Sequence, residues 1–166
     1  MPLLDVVLVR PEIPNNTGNI GRTCVATGCA LHLVHPLGFD VSEKACRRAG
    51  LDYWPRLAVH EHASWDAYMA AHGKTRRWVF TTKAATPFFD AEFLPGDALI
   101  FGSETAGLDE SILAAHHGRT LSMPMVPGER SLNLATAVCA AVYEAIRQFR
   151  TRGEVEFDTN GKLTTR

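Results

Sequence analysis

The sequence predicts an α/β domain built on a largely parallel β-sheet. Short apolar runs rich in strand-forming residues recur along the 166-residue chain, and segments with a helical apolar period lie between them. This alternation is typical of sheets whose parallel strands are joined by helices. A chain of this length buries most of the surface that its unfolded form exposes, and no repeat or linker divides it. We therefore expect a single domain.

The pattern places six strands and five helices. The strands are expected at 5–9, 31–35, 57–60, 77–82, 98–102 and 120–123, and the helices at 19–28, 42–49, 64–72, 109–116 and 131–150. Four helix starts carry a candidate N-cap residue, and these are Ser42, Ser64, Asp109 and Ser131. The last helix has the clearest period, and its apolar stripe is expected to pack on the sheet.

The chain turns polar after Arg150. We therefore divide the sequence into a domain at 1–150 and a polar C-terminal tail at 151–166. Within the tail, Asn160 and Gly161 favour a turn, so the tail is either frayed or a small hairpin.

Composition excludes several classes of protein. Lys and Arg number 17 against 18 Asp and Glu, so a nucleic-acid partner would have to be held by a local patch. The four cysteines form no C-x-x-C pair and are expected to be buried thiols of a reducing compartment. The histidines show no spacing typical of metal ligands, so no metal is expected. Without a leader or an apolar run of roughly 20 residues, we expect a soluble cytoplasmic protein that does not bind membranes.

Three loops are unlike ordinary surface. The first, PEIPNNTGNIGRT at 11–23, follows the first strand and is rich in Asn and Gly. Such a loop holds a phosphate in many α/β proteins, but Gly18-x-x-Gly21 is not the G-x-G-x-x-G of dinucleotide sites, and no acidic residue closes the second strand. The alternative is an Asx-turn that caps a helix. A cofactor phosphate is therefore the weaker interpretation.

The second loop, LIFGSETAGL at 99–108, ends a predicted strand at Gly102. A Walker loop would continue with Lys and Ser or Thr, but Leu108 and Asp109 follow its last glycine, which excludes that motif. Glycine at the carboxyl end of a strand lets a ligand approach the backbone, and Glu104 places a carboxylate beside it. The alternative is a strand-to-helix turn with a solvated Glu104.

The third loop, MPMVPGERSLNLATAVCAAVYEA at 123–145, leads through Ser131 and Asn133 into the last helix. Its prolines and glycine make it stiff. The helix amides could hold an anion, the loop backbone could bind the edge of a purine, or both side chains could simply cap the helix.

In order and spacing, these three motifs resemble those of the SPOUT class of RNA methyltransferases. The resemblance spans roughly residues 3–150. HPLGFD (35–40) and RRAGLDYW (47–54) are similar to the TrmL-type subfamily, which methylates the ribose 2′-hydroxyl of the tRNA wobble nucleotide, a cytidine or modified uridine at position 34. The resemblance implies a deep C-terminal trefoil knot, an exception to the rule that chains do not thread their own loops. It also implies S-adenosyl-L-methionine as methyl donor and no metal.

The resemblance assigns roles to particular residues. Those implied to contact the cofactor are Phe80, Thr81, Gly102, Met123 and Ser131. Those implied to face the RNA or the reacting ribose are Asn16, Arg22, Glu104 and Asn133. A guanidinium has no lone pair to accept a proton, so we expect Arg22 to clamp the target phosphate and polarise the hydroxyl. Asn16 and Asn133 would orient that hydroxyl, and Glu104 would hold Arg22 or the opening loop.

With near-neutral charge and no added RNA-binding domain, the resemblance implies a homodimer that grips the tRNA anticodon stem-loop. The candidate residues for this RNA and dimer surface are Arg10, Arg47, Arg48, Tyr143 and Glu144. Two other functions stay open, namely 2′-O-methylation of another tRNA or ribosomal RNA site, and a knotted RNA-binding protein that has lost catalysis.

Overall fold

The computed structural model describes residues 1–165, except the side chains of Glu43, Arg47 and Thr165. At its centre lies a six-stranded sheet. Its strands are β1 (Asp5–Val9), β2 (Ala30–Val34), β3 (Val59–His62), β4 (Arg77–Phe80), β5 (Ala98–Phe101) and β6 (Thr120–Leu121). Every pair in the order β3-β2-β1-β5-β4-β6 is parallel. The predicted parallel sheet is confirmed.

Within the described residues, five α-helices accompany the sheet: α1 (Pro14–Thr27), α2 (Glu43–Arg48), α3 (Trp65–His72), α4 (Glu110–Ala115) and α5 (Leu134–Thr151). The first begins at Pro14 rather than at residue 19. Proline suits a first helical position because its φ is already helical. The N–H groups of Asn16 and Thr17 donate to the Ile13 carbonyl at 3.1 and 3.3 Å. Much of the expected Asn- and Gly-rich loop is therefore helix.

Asn133, and not Ser131, is the N-cap of α5. Its Oδ1 accepts hydrogen bonds from the backbone N–H groups of Ala135 at 2.9 Å and Thr136 at 3.2 Å. The predicted apolar stripe is buried, through Val138, Ala141, Val142, Ala145, Ile146 and Phe149. Neither α5 nor any other helix of residues 1–165 is long and apolar enough to cross a membrane.

Side chains of β1 alternate between two apolar cores. Val6 and Leu8 belong to the core that includes the buried faces of α1 and α5, whereas Val7 and Val9 belong to the core beneath α3 and α4. All four are at most 2% exposed. Because both faces of the sheet are covered, β1 is apolar along its whole central run, as buried parallel strands are.

Within the C-terminal tail, residues 155–165 form a hairpin, one of the two forms expected for the tail. β7 (Val155–Phe157) pairs antiparallel with β8 (Leu163–Thr165), and Gly161 between them has a φ of 74°. Glycine adopts this left-handed conformation without strain. Val155 is buried in the core that includes α5.

The segment between β4 and β5, residues 81–97, is bonded to two later parts of the chain. The Thr81 N–H donates to the Leu121 carbonyl at 2.9 Å. Further along, the Phe93 N–H donates to Gln148 Oε1 at 3.0 Å. The segment is thereby tied both to β6, which precedes α5, and to α5 itself.

Candidate active site

Two glycines form the tight turn that carries Glu104. β5 ends at Phe101, and a Cβ atom on Gly102 would lie 2.2 Å from the carbonyl carbon of Gly107. Gly107 has a φ of 70°, and the backbones of Ser103 and Gly107 exchange hydrogen bonds of 3.2 and 3.0 Å. Only glycine fits at position 102, because the chain itself, and not only a ligand, comes close there.

The Glu104 carboxylate holds the start of α1. Its Oε2 accepts a hydrogen bond from the Glu12 N–H at 2.8 Å, and its Oε1 accepts from the Ile13 N–H at 3.1 Å and from Asn16 Nδ2 at 3.0 Å. Ile13 occupies the N-cap position and its side chain makes no capping bond. A carboxylate from a distant loop therefore satisfies free amides and places negative charge at the positive end of the helix. Of the two roles expected for Glu104, the structure shows the second, holding the opening segment.

Asn16 joins Glu104 to Asn133. Its Nδ2 donates to Glu104, and its Oδ1 accepts from Asn133 Nδ2 at 3.0 Å. Asn133 in turn uses its own Oδ1 to cap α5. Asn16 is only 6% exposed, whereas Asn133 is exposed, so the network runs from the protein interior to its surface. Three side chains from three sequence motifs thus form one hydrogen-bonded unit, which we call the Glu104–Asn16–Asn133 network.

A cavity of about 740 Å³ opens beside this network, where β4, β5 and β6 end. The five residues implied for the cofactor all line it, namely Phe80, Thr81, Gly102, Met123 and Ser131. The three network residues line it as well. The rings of Phe80 and Phe101 stack with their centroids 4.5 Å apart. A mostly apolar cavity of this size with a few polar groups is typical of a small-molecule site.

Arg22 lies apart from the network. It is exposed on α1, with its Cζ atom 4.6 Å from the centre of the Tyr53 ring. Tyr53 donates a hydrogen bond to the Gly18 carbonyl, and burial raises the pKa of Tyr53. Six residues after Asn16, Arg22 points about 120° away around the helix. It is not part of the cavity lining. The structure therefore brings together three of the four residues expected to face the ribose, without Arg22.

Gly21, next to Arg22 in α1, packs closely against Trp54 and Leu57. A Cβ atom on Gly21 would lie 2.9 Å from the Leu57 side chain and 3.0 Å from the Trp54 ring. The absence of a side chain lets α1 approach this later segment closely. The RRAGLDYW stretch thus contributes Tyr53 and Trp54 to the surface on which Arg22 lies.

Glu12 is a site residue that sequence reasoning missed. Its carboxylate accepts hydrogen bonds from Thr105 Oγ1 at 2.8 Å and from the Thr105 N–H at 3.2 Å. Glu12 and Glu104 therefore hold each other's loops reciprocally. No sequence pattern distinguishes an acidic side chain that holds a distant loop from one that simply points into solvent.

The cationic candidates for RNA binding differ in their surroundings. Arg10 pairs with Asp109, Nη2 to Oδ1, at 2.5 Å. Asp109, expected to cap α4, makes no side-chain capping bond. Arg48 is exposed, and the side chain of Arg47 lies outside the described residues.

On α5, Tyr143 is 54% exposed. Its neighbour Glu144 instead bonds within its own helix, to Arg147 Nε and Nη2 at 2.8 Å each and to Gln148 Nε2 at 3.0 Å. The hydrogen bonds from Arg147 lower the pKa of Glu144. Of this pair, Tyr143 is the side chain that remains available for other contacts.

The family described as SpoU rRNA methylase matches residues 3–143. The chain belongs to the SpoU rRNA methylase family. The tRNA (cytidine(34)-2′-O)-methyltransferase of Burkholderia ambifaria is 46% identical over 149 residues, which is 88% of this chain and 96% of that one.

Two solved structures are similar to this SpoU chain over most of its length. One, on the 2-OH methylation of C/U34 on tRNA, is 45% identical with a TM-score of 0.83, and the match covers 90% of this chain and 97% of that one. The other is the SpoU methyltransferase AviRb from Streptomyces viridochromogenes in complex with the cofactor AdoMet. It is 27% identical with a TM-score of 0.76, and the match covers 90% of this chain and 58% of AviRb.

Membership of the SpoU family confirms the expected fold class. SpoU methylases combine a mostly parallel sheet flanked by helices with a trefoil knot in the carboxyl-terminal half. In this chain most of the residues that line the cavity come from the ends of β4, β5 and β6 and from the loop before α5. The expected resemblance to RNA methyltransferases is confirmed with the fold.

Proposed function

We propose that this SpoU methylase transfers a methyl group from S-adenosyl-L-methionine to the ribose 2′-hydroxyl of nucleotide 34, a cytidine or modified uridine, in the tRNA anticodon loop. The observation that carries the proposal is the Glu104–Asn16–Asn133 network beside the cavity at the ends of β4, β5 and β6. The 46% identity to a tRNA (cytidine(34)-2′-O)-methyltransferase supports the choice of substrate. Because tRNA is a cytoplasmic substrate, the cytoplasm is the proposed location.

The cavity lining suits the proposed cofactor. Apolar side chains such as Phe80 and Met123 offer adenine a flat or adaptable surface. Arg130 also lines the cavity and can pair with the carboxylate of the methionine part. Bound there, S-adenosyl-L-methionine would supply an electrophilic methyl group, and its sulfonium sulfur would become a neutral thioether. The proposed cofactor residues are Phe80, Thr81, Gly102, Met123 and Ser131.

The chain's main catalytic task is positioning, because the 2′-oxygen, the methyl carbon and the sulfur must lie in line. Asn16 and Asn133 are held in fixed orientations by the network. Each Nδ2 carries two N–H groups and donates one of them within the network, which leaves the second for a ribose oxygen. An N–H group aimed at the 2′-oxygen stabilises the negative charge that grows there during transfer.

Arg22 is assigned to the phosphate of the target nucleotide. Its guanidinium can bind a phosphate through two parallel hydrogen bonds, and its contact with the Tyr53 ring limits the orientations that the side chain adopts. Because it faces away from the cavity of its own chain, we assign it to the cavity of a second copy in a homodimer. Exposed Tyr143 belongs to the proposed dimer face.

The remaining surface candidates complete the proposal. Arg10, Arg47, Arg48 and Glu144 are assigned to the RNA and dimer surface. The methyltransferase domain is assigned to residues 1–150, and residues 151–166 form its C-terminal tail.

Methyl transfer to total cellular RNA tests the function. Purified protein is incubated with labelled S-adenosyl-L-methionine and either total tRNA or ribosomal RNA, and the modified nucleotide is mapped by nuclease digestion and mass spectrometry. Label at the ribose of nucleotide 34 of tRNA is the expected result. Label confined to ribosomal RNA or to another tRNA position would show that the proposed substrate is wrong. Cofactor binding without transfer to any RNA would show that the protein is not a methyltransferase.

A further inference from the structure

Three histidines that are distant in sequence meet at the edge of the sheet formed by β2 and β3. His32 lies in β2, His62 ends β3 and His72 ends α3. Ring nitrogens of the three residues all lie within 4.8 Å of one another. The expectation of no metal rested on spacing in the sequence, which does not show that these three side chains meet. Strand pairing and the return of α3 along the sheet bring them together.

We propose that His32, His62 and His72 bind a divalent transition-metal ion, with Zn²⁺ as the probe. Imidazole nitrogens are good ligands for zinc, copper and nickel, and three protein ligands plus a water molecule form a common zinc site. With Zn–N bonds of 2.0–2.1 Å, tetrahedral ligand nitrogens are about 3.3 Å apart. His32 Nδ1 and His62 Nε2 are already 3.0 Å apart. The two nitrogens face each other at hydrogen-bond distance, so the imidazole rings would rotate to direct both lone pairs at one ion.

Asp5 lies beside His32, in position to accept a hydrogen bond from that histidine when it binds a metal ion. Its Oδ1 lies 3.5 Å from His32 Nε2, the ring nitrogen that does not face His62. A carboxylate behind a ligand imidazole accepts its second N–H, fixes the tautomer and makes the ring a stronger ligand. The side chains of His32 and Asp5 are only 3% and 13% exposed, so this pair is shielded from water.

The packing of the rings supports a defined site. His32 and His62 stack within 10° of parallel, and the His72 ring stands at 85° and 86° to them. Tyr68 stacks on His72 with the ring centroids 5.1 Å apart. An ion bound here links the end of α3 to β2 and β3. The cavity lies at the ends of β4, β5 and β6, and none of the three histidines lines it, so the ion stabilises the fold and takes no part in methyl transfer.

Zinc titration of tag-free, chelator-treated protein tests the proposal. Calorimetry should show one ion per chain with a Kd of about 10 μM or tighter. At a Zn²⁺ concentration of 100 times Kd, the Tm should rise by roughly 5–10 °C. Co²⁺ bound in its place should show the strong visible absorption of a four-coordinate ion.

His62→Gln and His72→Gln each remove one ligand and keep a side chain of similar size, whereas the buried His32 is left in place. We expect each of these variants to bind Zn²⁺ at least about tenfold more weakly than wild type. Asp5→Asn, which removes the carboxylate behind His32, should weaken Zn²⁺ binding about tenfold. His117→Gln, which changes an exposed histidine outside the cluster, is the matched control and should bind like wild type. A wild-type Kd weaker than about 10 μM, or equal affinity in wild type and both ligand variants, would overturn the site.

Discussion

Replacing Glu104 with Gln keeps the shape of the side chain but removes its charge and one acceptor atom. The carboxylate accepts three hydrogen bonds, from the N–H groups of Glu12 and Ile13 and from Asn16 Nδ2. In Gln, one of the two oxygens becomes an NH2 group that faces a donor and cannot accept from it. Hydrogen bonds to a charged acceptor contribute about 1.5–3 kcal/mol, and this side chain is partly exposed. We therefore expect the free energy of unfolding to fall by about 1–2 kcal/mol.

Urea unfolding, followed to equilibrium at a fixed protein concentration, measures this loss. Glu110→Gln is the matched control, because the Glu110 side chain is 79% exposed and its surface pair with Lys83 contributes little, below about 0.5 kcal/mol. The network also orients Asn16 and Asn133, so Glu104→Gln should slow methyl transfer by about 10–100-fold. Wild-type stability and turnover in Glu104→Gln would refute the structural role of the network.

Four further predictions concern catalysis, assembly, RNA binding and the thiols. Arg22→Lys keeps the charge but loses the bidentate fork, so kcat should fall at least about tenfold at unchanged tRNA affinity, and near-wild-type turnover would refute the phosphate clamp. Tyr143→Glu should yield an inactive monomer in sedimentation; a fully active monomer would exclude the proposed dimer. Raising salt from about 50 to 200 mM should weaken tRNA binding at least about tenfold and leave cofactor affinity nearly unchanged in calorimetry. Burial raises the pKa of Cys29 to about 11 and the pKa of Cys24 in the same direction, so both thiols stay protonated at pH 8. Alkylation of either thiol in the native protein at that pH, detected by mass spectrometry, would contradict this.

The parallel sheet and the last helix were predictable because the spacing of apolar residues along the chain indicates which faces of a strand or helix are buried. The run at β1 is apolar on both faces, since each face meets its own core. The start of α1 was not predictable in the same way. Asn and Gly usually favour turns, and here Pro14 together with the distant Glu104 carboxylate lets them enter a helix.

The resemblance to the SPOUT class implied the residues that line the cavity, and the fold explains why they meet, because the carboxyl ends of neighbouring parallel strands lie at one end of the sheet. The position of Arg22 was not predictable. Treating residues 14–18 as loop hid the helical rotation that separates Arg22 from Asn16. Glu12 was missed because its partner Thr105 lies far along the chain.

The histidine cluster depends on tertiary structure alone. His32 and His62 come from paired strands, and His72 joins them only because α3 runs back along the sheet. Their spacing in the sequence matches no metal-ligand pattern, so only the fold shows that their ring nitrogens meet.

The proposed acceptor of the methyl group is the 2′-hydroxyl of nucleotide 34. Two full-length tRNAs, identical except for a 2′-hydroxyl or a 2′-hydrogen at nucleotide 34, test this assignment. With labelled S-adenosyl-L-methionine, we expect close to one methyl group per molecule of the first tRNA and none in the second. Equal incorporation into both tRNAs would show that another atom accepts the methyl group and would refute the assignment.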